Sequence, residues 1–174
     1  MGTLNLGSSG AINSTDLNIS GRVAKPLHPY ILYRPNATKT IAHNSNTKVD
    51  HFGTQEVAQG GLSFSTSTGR ITVPVSGLYR VRVKVNSSSE GRFGNDCQMW
   101  VRVNGSAYLS TQQVNFAAGG APSSSNLWYH PVEMDMCVNL NLASDYMEIY
   151  LYQNSGSTQT LNGSMGFLEC YLIG

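Results

Sequence analysis

The sequence predicts an all-β protein, an antiparallel sandwich or jelly roll, on three observations. From Gly69 to Val85 two runs alternate around one Pro/Gly corner. Ile71, Val73 and Val75 fall on every second residue, then Tyr79, Val81, Val83 and Val85 with Arg80, Arg82 and Lys84 between them. A longer alternation follows in Val132, Met134, Met136, Val138, Leu140 and Leu142, with polar residues and Cys137 between. No helical period of any length accompanies these runs, and turn residues recur at the spacing of a sandwich.

Residues 1–25 are polar and rich in Gly, Ser and Asn, with apolar singles at Leu4, Leu6, Ile12, Leu17, Ile19 and Val23. Such a segment cannot bury enough surface to order alone, so it is either a disordered tail or an extended arm that orders on assembly, and the alternation over residues 16–23 favours the arm. Pro26 and Pro29 mark the start of the folded domain, residues 26–174. Tyr30 to Tyr33 is its first strand and residues 37–48 a loop. Val49 to Phe52 is a short strand, and Gly60-Gly61 turns the chain into Leu62 to Phe64. Pro74 cannot donate to a ladder and Gly77 relieves a bend, which makes the opening element a corner. Cys97 to Val103 is a strand, Asn104-Gly105 a hairpin turn and Tyr108 to Phe116 its return. Val132 to Leu142 is a long strand with one dry face. Met147, Ile149 and Leu151 then alternate with Tyr146, Glu148, Tyr150 and Tyr152, so this strand carries aromatic residues on a second, covered face. Residues 153–163 read as a loop, and Met165 to Ile173 as the closing strand.

Composition narrows the function. A chain of 174 residues suffices for one buried core. Hydrophobic content is an ordinary 40%, yet only 12% of residues are charged, against a usual ~25%. Much of the surface is therefore Ser, Thr, Asn, Gln and Gly, which suits a surface that faces other subunits or a carbohydrate-like environment. A net charge of +1 with scattered basic residues gives no support to nucleic-acid or membrane binding. No run reaches the ~20 apolar residues that cross a bilayer, and the N-terminus lacks the charged and apolar regions of a signal peptide. The sequons at Asn36, Asn86 and Asn104 accordingly read as loop composition. Cys97, Cys137 and Cys170 form no CxxC pair and read as small, half-buried thiols.

No catalytic or cofactor chemistry is expected. His28, His43, His51 and His130 lie in four separate segments without metal-ligand spacing. Asp135 and Asp145 lie in no D-x-D loop, and no G-x-S-x-G elbow occurs. The informative side chains are aromatic: Trp100, Trp128, Tyr129, Tyr108, Tyr146, Tyr150 and Tyr152. On an outer sheet face they are subunit anchors or a sugar-stacking platform, and low charge favours the first. Tyr146, Tyr150, Tyr152 and Trp100 are the expected interface between subunits. Arg80, Arg82, Lys84 and Arg102 either meet carboxylates of a neighbouring protein or form an ordinary solvated face.

These strands and corners resemble the complement C1q / tumour necrosis factor superfamily. In that family a Phe and a Gly-Arg/Lys pair precede a strand ending in Val-Pro-x-x-Gly-x-Tyr. Here Phe64, Gly69, Arg70, Val73, Pro74, Gly77 and Tyr79 stand in those places. Asn104-Gly105 matches a later hairpin, Leu140 to Asp145 a turn, and Phe167 to Ile173 the final strand. The likeness runs from Pro26 to Gly174 and implies a ten-strand jelly roll that forms trimers and binds rather than catalyses. The family's closing Phe-Ser-Gly-Phe signature is replaced by Met165-Gly-Phe-Leu-Glu-Cys-Tyr-Leu-Ile-Gly174, and its collagen-like or coiled-coil stalk is absent. The arm looks like the N-termini of tailed-bacteriophage virion proteins. Together these imply a trimeric capsid decoration, or cement, protein on the outer surface of a virion, assembled in the host cytoplasm and partnered with itself and the major capsid protein. The alternative is a tail-fibre or head-fibre tip that binds host surface glycans.

Overall fold

The computed structural model describes residues 27–88, 93, 97–105 and 131–173, with the main chain of 107–114. Every regular element among them is a strand: β1 Tyr30–Arg34, β2 Lys39–Ile41, β3 Thr47–Lys48, β4 Thr54–Gln59, β5 Ser63–Ser65, β6 Arg70–Thr72, β7 Gly77–Ser87, β8 Cys97–Val103, β9 Ala107–Val114, β10 Pro131–Leu140, β11 Tyr146–Gln153 and β12 Gln159–Leu172. The first sheet runs β10-β7-β12-β1-β4, with β2 also on β12. The second runs β5-β6-β11-β8-β9, with β3 on β11, and every pairing is antiparallel.

Alternation builds the core. Tyr79, Val81, Val83 and Val85 of β7, with Val132, Met134, Val138 and Leu140 of β10, are buried against Met147, Ile149 and Leu151 of β11 and Met99 and Val101 of β8. Each of these four strands gives every second residue to the space between the sheets. The Gly69 to Val85 element is the corner its sequence suggests, and it changes sheets. Its first strand, β6, belongs to the second sheet and β7 to the first. The Tyr79 hydroxyl donates to the Val75 carbonyl at 2.8 Å, fastening the bend. Val75 departs from the alternation: β6 ends at Thr72, and Val75 sits on the corner, 45% exposed.

Other differences have local causes. The expected loop at residues 37–48 holds β2 and β3, whose three and two residues are too short to show a period. The expected strand at Val49 to Phe52 is irregular chain. Its two apolar ends are fully buried and Val49 N–H bonds the Ile149 carbonyl at 2.9 Å, so those residues are apolar because they cross the core. Strand β4 has no counterpart in the sequence reading, because Thr54–Gln59 is a polar, mostly exposed edge strand. Strand β10 ends at Leu140, and Leu142 lies in the following turn, 61% exposed. The closing strand starts earlier than expected, at Gln159. Between Leu161, opposite Ser87, and Gly166, opposite Val85, residues 162–165 bulge out. The Asn162 side chain fills the bulge, accepting the N–H groups of Ser164 and Met165 at 2.8 and 3.0 Å.

Candidate functional site: the outer sheet faces

Residues directly opposite each other on antiparallel strands share a face. Trp100 lies opposite Tyr150, Gln98 opposite Tyr152 and Arg102 opposite Glu148. From the other side Lys48 meets Tyr150, Arg70 meets Glu148 and Thr72 meets Tyr146. The structure thus brings Trp100, Tyr146, Tyr150 and Tyr152 together on the outer face of the second sheet. Trp100 is buried and the three tyrosines are half-buried. The side chain of Tyr108, and all of Trp128, Tyr129 and His130, lie outside the described residues, as do Leu4, Leu6, Ile12, Leu17, Ile19 and Val23.

Glu148 organises this face, and the sequence reading passed over it. Its carboxylate is buried among the tyrosines and takes hydrogen bonds from Lys48 Nζ at 2.7 Å and Arg70 Nε at 3.4 Å. Burial alone would lower the Lys48 pKa, but the hydrogen bond and charge of Glu148 outweigh it and the net shift is upward. The guanidinium of Arg70 lies 3.9 Å over the Tyr146 ring and that of Arg102 4.2 Å over Tyr150. Such contacts contribute about 0.5–1 kcal/mol each when exposed and about 2 when desolvated. The only sequence signal was an acid placed between two tyrosines on a strand. Gly69 serves the same cluster: at φ +67°, an added Cβ would sit 2.5 Å from Lys48 Cδ.

The outer face of the first sheet is a ladder of charges. Arg80 grips Asp135 through two bonds of 2.8 and 2.7 Å, Arg82 reaches Glu169 at 2.9 Å and Lys84 reaches Glu133 at 2.6 Å. These cations therefore have partners within their own sheet. The Arg80 bond holds the Asp135 carboxyl below the usual carboxylate range. Most of these groups are over a third exposed, so each pair adds little stability.

Asp145 and Asn104 join two of the motif matches into one unit. Asn104 Nδ2 donates to Asp145 Oδ1 at 2.8 Å, and the other carboxylate oxygen accepts Asn141 and Leu142 N–H, both at 3.0 Å. The Asn104 bond leads the causes that hold the Asp145 carboxyl low. The hairpin turn and the β10–β11 turn are thus mutually capped, with Asn104 at φ 53°. The described histidines lie apart: His28 bonds the Leu172 carbonyl, His43 accepts Gly156 N–H at 3.1 Å, and His51 is buried against Phe52 with ring centroids 4.8 Å apart. The Asn162 main chain approaches His51 without making a hydrogen bond to either ring nitrogen. Burial pushes the His51 pKa down to about 4, against the opposing pull of Asp50. Cys97 and Cys170 are buried in different sheets and Cys137 is exposed, so the expected half-buried character fits none of the three.

This geometry has the fold of a tumour-necrosis-factor-like jelly roll. The fold is shared with Eiger, a tumour necrosis factor protein from S. frugiperda, at a TM-score of 0.58 and 11% identity over 86% of this chain and 94% of that one. Murine APRIL matches at a TM-score of 0.58 and 14% identity, over 84% of this chain and 99% of the other. No family model and no curated protein matches the sequence.

Proposed function

We propose that the chain is a virion structural protein, a homotrimeric decoration protein on the outer capsid of a tailed bacteriophage that ties neighbouring copies of the major capsid protein together. The observation that carries this reading is the outer face of the second sheet. There Tyr146, Tyr150 and Tyr152, with the buried Trp100 opposite Tyr150, stand on strands locked by the Glu148 ion pairs, and the three half-buried tyrosines make a firm contact surface for a second copy. The fold supports the trimer that the family resemblance implies. Residues 1–25 serve as the anchor, and 26–174 as the jelly-roll body. Three linked arms that engage together bind far more tightly than one, and no catalysis is needed for that role.

A second reading, a fibre tip that binds host surface glycans, draws on the partly exposed ring of Tyr152. Tyr146 and Tyr150 suit it less, because a guanidinium already covers one face of each ring. Labelling the chain in purified virions separates the two. Label over the head, lost when residues 1–23 are deleted while the body stays folded, is the expected result. Label confined to fibre ends sinks the decoration reading, and full head occupancy by the deletion variant removes the arm as anchor.

A further inference from the structure

Four of the six large apolar side chains most exposed among the described residues gather at one end of the first sheet, where residue 27 leads back into the arm. They are Leu27 at 64%, Ile173 at 47%, Val75 at 45% and Leu78 at 38% exposed. Main-chain contacts bring them together. Ile173 N–H bonds the Leu78 carbonyl at 2.7 Å and Leu172 N–H bonds the Pro29 carbonyl at 3.1 Å, so the tails of β7, β12 and β1 lie side by side. Gly60 packs under Leu27 and Pro29, while Gly61 next to it packs on Pro74, which draws in the Val75 corner. Leu78 and Ile173 sit on the outer face, in line with Arg80 and Tyr171. Three adjacent strands make this collar about 10 Å wide.

We propose that the collar is the seat of the root of this chain's own arm, with Leu17, Ile19 and Val23 laid across Leu78, Ile173 and Leu27. Residues 16–23 read Asp-Leu-Asn-Ile-Ser-Gly-Arg-Val. In an extended strip, Leu17, Ile19, Gly21 and Val23 all point one way while Asp16, Asn18, Ser20 and Arg22 point the other. The strip therefore has one apolar face, broken only by a glycine. Its connection is short: Val23 lies four residues before Leu27, a reach of at most ~14 Å, enough to span the collar. Being tethered beside its target, the root meets the collar at a high effective concentration, so a few apolar contacts suffice. This deepens the reading above by dividing the arm, rooted through residues 17–23 and leaving Leu4, Leu6 and Ile12 for the capsid partner.

The test uses the purified full chain with no capsid present, so its outcome is independent of where the protein sits on a virion. Hydrogen exchange of residues 16–24 is expected to run at least ~10-fold slower than for an unstructured segment. The double variant Leu78→Ser/Ile173→Ser, altered only at exposed side chains, is expected to release that protection with unchanged β-sheet circular dichroism. Leu17→Ser/Ile19→Ser should release it without touching the sandwich. An unprotected arm root in the full chain overturns the proposal, as does protection that neither variant disturbs. Protection that disappears on dilution to monomer also overturns it, and assigns the collar to contact between copies.

Discussion

His51 is the residue whose burial has the clearest solution consequence. It is 6% exposed and its ring nitrogens are not hydrogen-bonded among the described residues, so the neutral form is favoured in the folded state. Its pKa falls from 6.5 to about 4. Between those values the unfolded chain binds a proton that the folded chain does not, so stability is complete above pH 6.5 and drains away as pH falls towards 4. The loss is on the order of 3 kcal/mol. Urea unfolding across this window should show it for the native chain, while His51→Phe should flatten that part of the slope. Equal slopes in the two proteins would refute the burial account. Neither the burial nor the shift was legible beforehand, since a histidine beside Asp50 and Phe52 reads equally well as a surface residue.

The bulge in β12 shows how an element is set by another strand's main chain. Gly166 has φ +126°, and a Cβ placed on it would lie 2.2 Å from the Lys84 carbonyl oxygen of β7. The clash is with backbone inside a ladder, which cannot swing aside. Gly166→Ala is expected to cost about 3 kcal/mol or more in denaturant unfolding. Gly156→Ala is the control: its φ is +89° but nothing lies within 4 Å, so only the conformational penalty of about 1–2 kcal/mol applies. Equal losses would show that the contact with Lys84 is unimportant. Sequence patterns found β7, β10 and β11 because those strands bury one face along their length. They missed β4 because an exposed polar edge needs no alternation, and β2 and β3 because so few residues hold no period.

At the scale of the molecule, the two outer faces differ in kind. The first sheet carries a neutralised ladder of ion pairs, and the second an aromatic surface pinned by one buried carboxylate. If the second face is the trimer contact, Tyr150→Glu/Tyr152→Glu should convert the assembly to a monomer in sedimentation velocity while circular dichroism stays unchanged. Both side chains are half-buried on the outer face, so the core is spared. A variant that remains a trimer moves the contact to another face.

The order of residues along the chain was enough for the fold class, the main strands and the corner at Pro74 and Gly77, because alternation and turn chemistry act between near neighbours. It also marked Tyr146, Tyr150 and Tyr152 as one face of one strand. Sheet membership, the change of sheet between β6 and β7, and the cluster around Glu148 required the folded chain. Lys48 reaches Glu148 across 100 positions, Arg70 reaches it across 78, and Asn104 meets Asp145 across 41. No periodicity spans such separations, because what joins those side chains is the pairing of β3, β6 and β8 with β11 and not any property of the residues between them.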